Sequence, residues 1–173
     1  ETCILPKGVK DGGFAFMRNA RRLDNGHFLV AHYGDQCVKE YDANGKMVWK
    51  LDVPGGPHSL TRLPNGHTLI AVADKDQNPR LIEVTPEGKT IWEISNADIP
   101  GKPLKFLGGF QYFSDGRFLI TNWTGHVNPK EKVHLLLVDR PKNVLYSLEN
   151  TPELQTMSSV YSTDKPAGVA SYH

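Results

Sequence analysis

The sequence predicts an all-β fold, a partial β-propeller of three four-stranded antiparallel blades with a terminal strand at each end. Three observations carry this. One segment recurs: Arg22-Leu23-Asp24-Asn25-Gly26-His27-Phe28-Leu29-Val30-Ala31 returns as Arg62-Leu63-Pro64-Asn65-Gly66-His67-Thr68-Leu69-Ile70-Ala71, and more loosely as Tyr112-Phe113-Ser114-Asp115-Gly116-Arg117-Phe118-Leu119-Ile120-Thr121. The turn glycines of these copies stand 40 and 50 residues apart, and a period of about 40–50 residues made of short strands and tight turns is that of propeller blades. Finally, 16 Gly and 12 Pro in 173 residues suit a turn-rich β chain.

The second repeat is the clearest, and its strands are named a to d from the inside out. Ser59 to Leu63 alternates and reads as strand a. Pro64-Asn65-Gly66-His67 is a hairpin turn, with Asn-Gly expected to take positive φ at both central positions. Thr68 to Ala73 is a nearly continuous apolar strand b, covered on both faces. Asp74 to Pro79 is a polar loop, Arg80 to Val84 is strand c, Thr85 to Lys89 turns, and Thr90 to Ile94 is the outer strand d. Four antiparallel strands in meander order make one blade.

The first repeat reads Arg21–Leu23, Phe28–Ala31, Cys37–Tyr41 and Met47–Leu51. The third reads Gln111–Phe113, Arg117–Asn122, Val133–Val138 and Val144–Leu148, and its final turn, Asp139 to Asn143, has lost the glycine. Trp49, Trp92 and Tyr146 recur at one place in strand d and are expected to act as packing plates between blades. The blades span about 14–53, 57–96 and 108–150 within a propeller segment of 1–163, and 164–173 forms a C-terminal tail.

Thr2 to Pro6 resembles the tail of an earlier strand d, and Ser158 to Thr163 a strand a that opens another blade. Propellers have about 4–8 blades, so three call for completion and leave open sheet edges. The expectation is the C-terminal half of a larger propeller whose other half is absent here or is supplied by another chain. Two copies closing one ring is the alternative.

Net charge is +1, which asks for neither nucleic acid nor an anionic surface. No apolar run approaches the ~20 residues of a membrane helix. Cys3 and Cys37 allow at most one internal disulfide. Asn122-Trp123-Thr124 meets the glycosylation pattern.

In a meander blade the a–b and c–d turns share one face, and here they are short and stereotyped. The b–c and d–a loops share the other and are long and varied, which is where binding sites sit on a rigid scaffold. His32, Asp35, His58, Asp74, Trp123 and His126 are expected to project there as ligand-binding candidates. Three histidines and two carboxylates could take a borderline metal or supply a general base, but no tight ligand spacing occurs. Neither a metal site nor a cofactor is predicted. His27 and His67 follow the hairpin glycine and read as turn residues, and His134 as structural. Arg18, Arg21, Arg22 and Arg62 could hold an anionic ligand or neutralise acids of neighbouring blades. Gly55-Gly56 and Gly108-Gly109 precede strands rather than helices, which favours a tight crossing near the axis over a phosphate cradle.

Asp42-Ala43-Asn44-Gly45-Lys46-Met47-Val48-Trp49 and Thr85-Pro86-Glu87-Gly88-Lys89-Thr90-Ile91-Trp92 resemble the repeat of quinoprotein-like propellers. With Leu63 to Ile70 before it, the unit is also similar to repeats of arylsulfotransferase-type propellers. Phe118 to His126 is similar to a last-blade segment of bacterial secreted propellers of unassigned function. The resemblance covers about Arg18 to Thr163 and implies the fold and an extracytoplasmic place. Quinone-cofactor enzymes of the superfamily use a calcium site and, in many, vicinal cysteines, which have no counterpart in this sequence, so that activity is not carried over. Function is therefore expected to be ligand or protein binding on the loop-rich face. The alternative is an extracytoplasmic propeller-type enzyme using loop-face histidines.

Overall fold

A computed structural model describes residues 17–73, 78–125, 133–151, 153, 157–160 and 162. It contains twelve strands among these residues: β1 (Met17–Arg22), β2 (Phe28–His32), β3 (Cys37–Tyr41), β4 (Met47–Asp52), β5 (Gly56–Arg62), β6 (Thr68–Ala73), β7 (Arg80–Val84), β8 (Thr90–Ser95), β9 (Leu107–Tyr112), β10 (Phe118–Asn122), β11 (Val133–Val138) and β12 (Val144–Glu149). They form three four-stranded sheets ordered β1-β2-β3-β4, β5-β6-β7-β8 and β9-β10-β11-β12, every pair antiparallel. The fold is thus the all-β, three-blade arc that the repeats predict. Ser158 to Val160 form no ladder among the described residues, but the Ser158 carbonyl lies against Gly108 and Gly109 of β9. Thr2 to Pro6 and the tail 164–173 lie outside the described residues.

The continuous apolar run of β6 is explained by its place in the middle blade. Leu69 and Ala71 join the core shared with blade three, while Ile70 and Val72 join the core shared with blade one. All six β6 residues are buried.

The hairpin turns differ from the expected pair of positive-φ residues. Gly26, Gly66 and Gly116 take φ of 83°, 85° and 88°, but Asn25, Asn65 and Asp115 do not. Instead a three-residue loop combines a right-handed turn with one left-handed glycine. Asn25 and Asn65 Oδ1 accept the amides of His27 and His67, both at 3.0 Å. Lys142 holds the left-handed position where the third outer turn lost its glycine, at φ 76°.

The inner strands start earlier than predicted. In each, one residue bulges out of register against its neighbour: between Met17 and Asn19, between Pro57 and Ser59, and between Leu107 and Gly109. Arg18, His58 and Gly108 are the extra residues, one per blade at the same place. The bulge breaks the period-2 pattern that marks a strand, so the sequence shows only the regular remainder. Gly56, Gly108 and Gly109 lie within these strands, not ahead of them. A Cβ on Gly56 would stand 2.4 Å from the Tyr33 ring, and one on Gly108 would stand 2.5 Å from the Ser158 carbonyl oxygen. Close approach of a neighbour explains both glycines.

Trp49 and Trp92 pack between blades as expected. Each indole N–H donates at 2.9 Å to a carbonyl in the next blade's outer turn, Pro86 and Arg140 respectively. Trp92 also stacks on Phe118, with centroids 4.6 Å apart. Across the ladder, Glu40 faces Trp49 and Glu83 faces Trp92. His27 bonds Glu40 at 2.8 Å and His67 bonds Glu83 at 2.7 Å. Arg62 then reaches Glu40 from blade two at 2.7 Å, and Arg140 reaches Glu83 from blade three at 2.5 Å. Their guanidinium carbons lie over the indoles at 5.0 and 5.5 Å. Arg62 therefore neutralises an acid of the neighbouring blade, and His27 and His67 serve the same clasp.

Candidate functional site

The long-loop face carries a cluster built by the bulges. A bulge re-aims a side chain out of the sheet pattern. His58, the bulge residue of β5, donates from Nδ1 to the carbonyl of Gly108, the bulge residue of β9, at 2.6 Å. That bond leaves Nε2 as the ring's acceptor. Burial holds the imidazole below its ordinary pKa; the Gly108 bond opposes this and the charge of Arg18 adds to it. The ring is therefore neutral at neutral pH.

Two aromatic rings flank this histidine, and a third packs behind one of them. Phe106 stands 5.0 Å from it, edge to face, and Tyr33 stands 6.5 Å away, also edge to face. Trp123 packs edge to face on Phe106 at 5.3 Å. Arg18, the bulge residue of β1, places its guanidinium 5.0 Å from the Tyr33 centroid. Tyr33 and Trp123 each follow the last residue of a second strand, β2 and β10, so the repeat places them alike.

The loop that carries Phe106 is fixed by Asn122. Asn122 is fully buried. Its Oδ1 accepts the amides of Lys105 and Phe106 at 2.7 and 3.2 Å, and its Nδ2 donates to the carbonyls of Pro103 and Val133 at 3.1 and 2.7 Å. The Trp123 amide donates to the Phe106 carbonyl at 2.8 Å. With its amide enclosed, Asn122 offers no acceptor for glycosylation in the folded chain.

Of the six sequence candidates, the structure brings His58 and Trp123 together through Phe106. His32 does not reach the loop face: it is 1% exposed and shares a 3.0 Å hydrogen bond between Nε2 and the Tyr41 hydroxyl. Burial, chiefly, lowers its pKa to about 4, with Lys39 lowering it further and Asp35 opposing. Burial likewise raises the Tyr41 phenol to about 12. Asp35 pairs with Lys39 at 3.1 Å. Asp74 and His126 lie outside the described residues. Among the described residues no three His, Cys, Asp or Glu stand close enough to hold a metal ion. Cys37 is a buried free thiol whose pKa burial raises.

Tyr33 and Phe106 were missed. Their signal was an aromatic residue within each of two long loops assigned to this face. A groove of about 640 Å³ opens elsewhere, on the short-turn face between blades one and two, lined by Trp49, Arg62, Glu40 and Pro86 among others. Glu40 and Arg62 there already bind each other in the clasp.

No protein-family model matches the chain, and no curated protein matches it by sequence. Solved structures do match in shape. A protein of unknown function from Bacteroides caccae is 24% identical with a TM-score of 0.68, over 82% of this chain and 53% of that one. Virginiamycin B lyase from Staphylococcus aureus is 15% identical with a TM-score of 0.54, over 80% and 42%. Hydrazine synthase from Kuenenia stuttgartiensis is 13% identical with a TM-score of 0.55, over 81% and 37%. The chain thus spans about half or less of the solved structures it matches. These likenesses are to β-propeller-like proteins and show the fold.

Proposed function

We propose that the chain is a ligand-binding arc of a larger propeller, whose loop-face cluster takes a small planar or aromatic molecule. The observation that carries this reading is the convergence of bulge residues Arg18 and His58 with Tyr33, Phe106 and Trp123, drawn from all three blades. Aromatic faces supply apolar contact and ring stacking, Arg18 supplies a cation, and the His58 Nε2 lone pair accepts one hydrogen bond from the ligand. A few convergent polar groups among aromatic walls is the usual make-up of a small-molecule site. The remaining blades come from further polypeptide, and an extracytoplasmic place accompanies the reading.

Heteronuclear NMR titrations test it, with indole and p-cresol as aromatic probes and methyl glucoside as a control. The reading expects shifts at Tyr33, His58, Phe106 and Trp123 with the aromatic probes. It also expects at least about tenfold weaker binding, or about 1.4 kcal/mol, in His58→Ala and Phe106→Ala. Shifts confined to the clasp groove, or unchanged affinity in both variants, would remove it.

A further inference from the structure

The two ends of the arc do not match each other. At both internal junctions one blade offers a glutamate facing a tryptophan, Glu40 with Trp49 and Glu83 with Trp92, and the next blade answers with an arginine. On blade three the same register holds Leu137 facing Tyr146. Arg117 occupies the position of the clasp histidine, but it pairs with Asp115 at 2.7 Å and lies over Phe113. Tyr146 and Leu145 are 53% and 51% exposed. This outer face is apolar where the internal faces are acidic.

Blade one shows the converse. Arg22 stands where Arg62 stands, each opposite the first residue of its second strand: Arg22 faces Phe28, and Arg62 faces Thr68. Arg62 is spent on Glu40 and Trp49 of the preceding blade. Arg22 is exposed and has no such acid or indole among the described residues. An arginine held at a clasp position calls for a carboxylate and an aromatic face.

We propose that the face of blade one turned away from blade two, marked by Arg22 at the end of β1, is a docking surface for a blade that presents a glutamate and a tryptophan on neighbouring strands. A second copy of this chain is not that partner, because its blade three presents Leu137 and Tyr146 in those places. An arginine docked on Leu137 would lose water without gaining a carboxylate, which is unfavourable. The ring is then closed by blades of different sequence. This rests on the reading of the three blades as an arc, and not on the ligand site.

Sedimentation equilibrium of the full chain tests it. The wild type is expected to remain monomeric. The double variant Leu137→Glu/Tyr146→Trp gives blade three the clasp chemistry, and is expected to self-associate with a dissociation constant at least about tenfold lower than that of wild type. Adding Arg22→Ala is expected to reverse that gain. Near-ultraviolet circular dichroism checks folding, and Leu137→Asp/Tyr146→Trp replaces the glutamate variant if that one fails to fold. A two-copy wild-type particle, a folded variant as monomeric as wild type, or a gain that survives Arg22→Ala would each overturn the proposal. Small-angle scattering of wild type reads the arc separately: an open crescent keeps that reading even when the association result fails.

Discussion

His32 shows how burial sets protonation at the scale of one residue. It ends β2 with 1% exposure, and its pKa is lowered to about 4. The unfolded chain takes up this proton near the ordinary value of about 6.5. Between those values the unfolded state binds more protons, so stability falls as pH drops from about 6.5 to about 4, and no further below. The difference corresponds to at most roughly 3 kcal/mol. Denaturant unfolding near neutral pH and near pH 4.5 should show a smaller acid loss in His32→Gln than in wild type; equal losses would contradict this. His58 moves in the same direction, so binding through its Nε2 should weaken as the ring is protonated on acidification. The sequence placed both histidines on the loop face because both sit at strand ends. It carries no sign that the Tyr41 hydroxyl, nine residues on, encloses one of them. Phe106 escaped notice for a related reason: it lies in an unrepeated loop, positioned by a buried amide from β10.

Strands and turns were legible where the repeat is regular. The second, third and outer strands of each blade fall within a residue of their predicted bounds, because alternation and turn glycines mark them. The inner strands did not, because a bulge at Arg18, His58 or Gly108 interrupts the alternation and a glycine pair reads as loop. The same bulges build the candidate site, so the least legible part of each blade is the part that lines it. Gly56→Ala tests this link. Its Cβ would meet the Tyr33 ring at 2.4 Å, so the ring must shift: aromatic-probe shifts at Tyr33 should change, and the unfolding midpoint should fall by the equivalent of about 1–3 kcal/mol. The clasp makes a separate prediction. Trp92→Ala removes the stack on Phe118 and should cost about 3–5 kcal/mol. Glu83→Gln weakens the bonds to His67 and Arg140 and should cost about 1–3 kcal/mol. Both are read by chemical denaturation, and a Glu83→Gln chain as stable as wild type would mean the clasp only sets orientation.

Among the described residues the molecule is an arc whose two internal junctions carry the clasp and whose two outer blades lack its partners on their free faces. The architecture was visible in the sequence because the period repeats. Its chemistry was less so, because a clasp formed by His67, Glu83, Trp92 and Arg140 joins residues far apart in the chain. The exposed Tyr146 marks where that device stops. Native mass spectrometry of the particle isolated from its natural source, with every polypeptide sequenced, tests the central claim most directly. The account predicts this sequence accompanied by further propeller blades of different sequence, in the same polypeptide or another. A particle made only of these 173 residues, or of exact multiples of them, would contradict it.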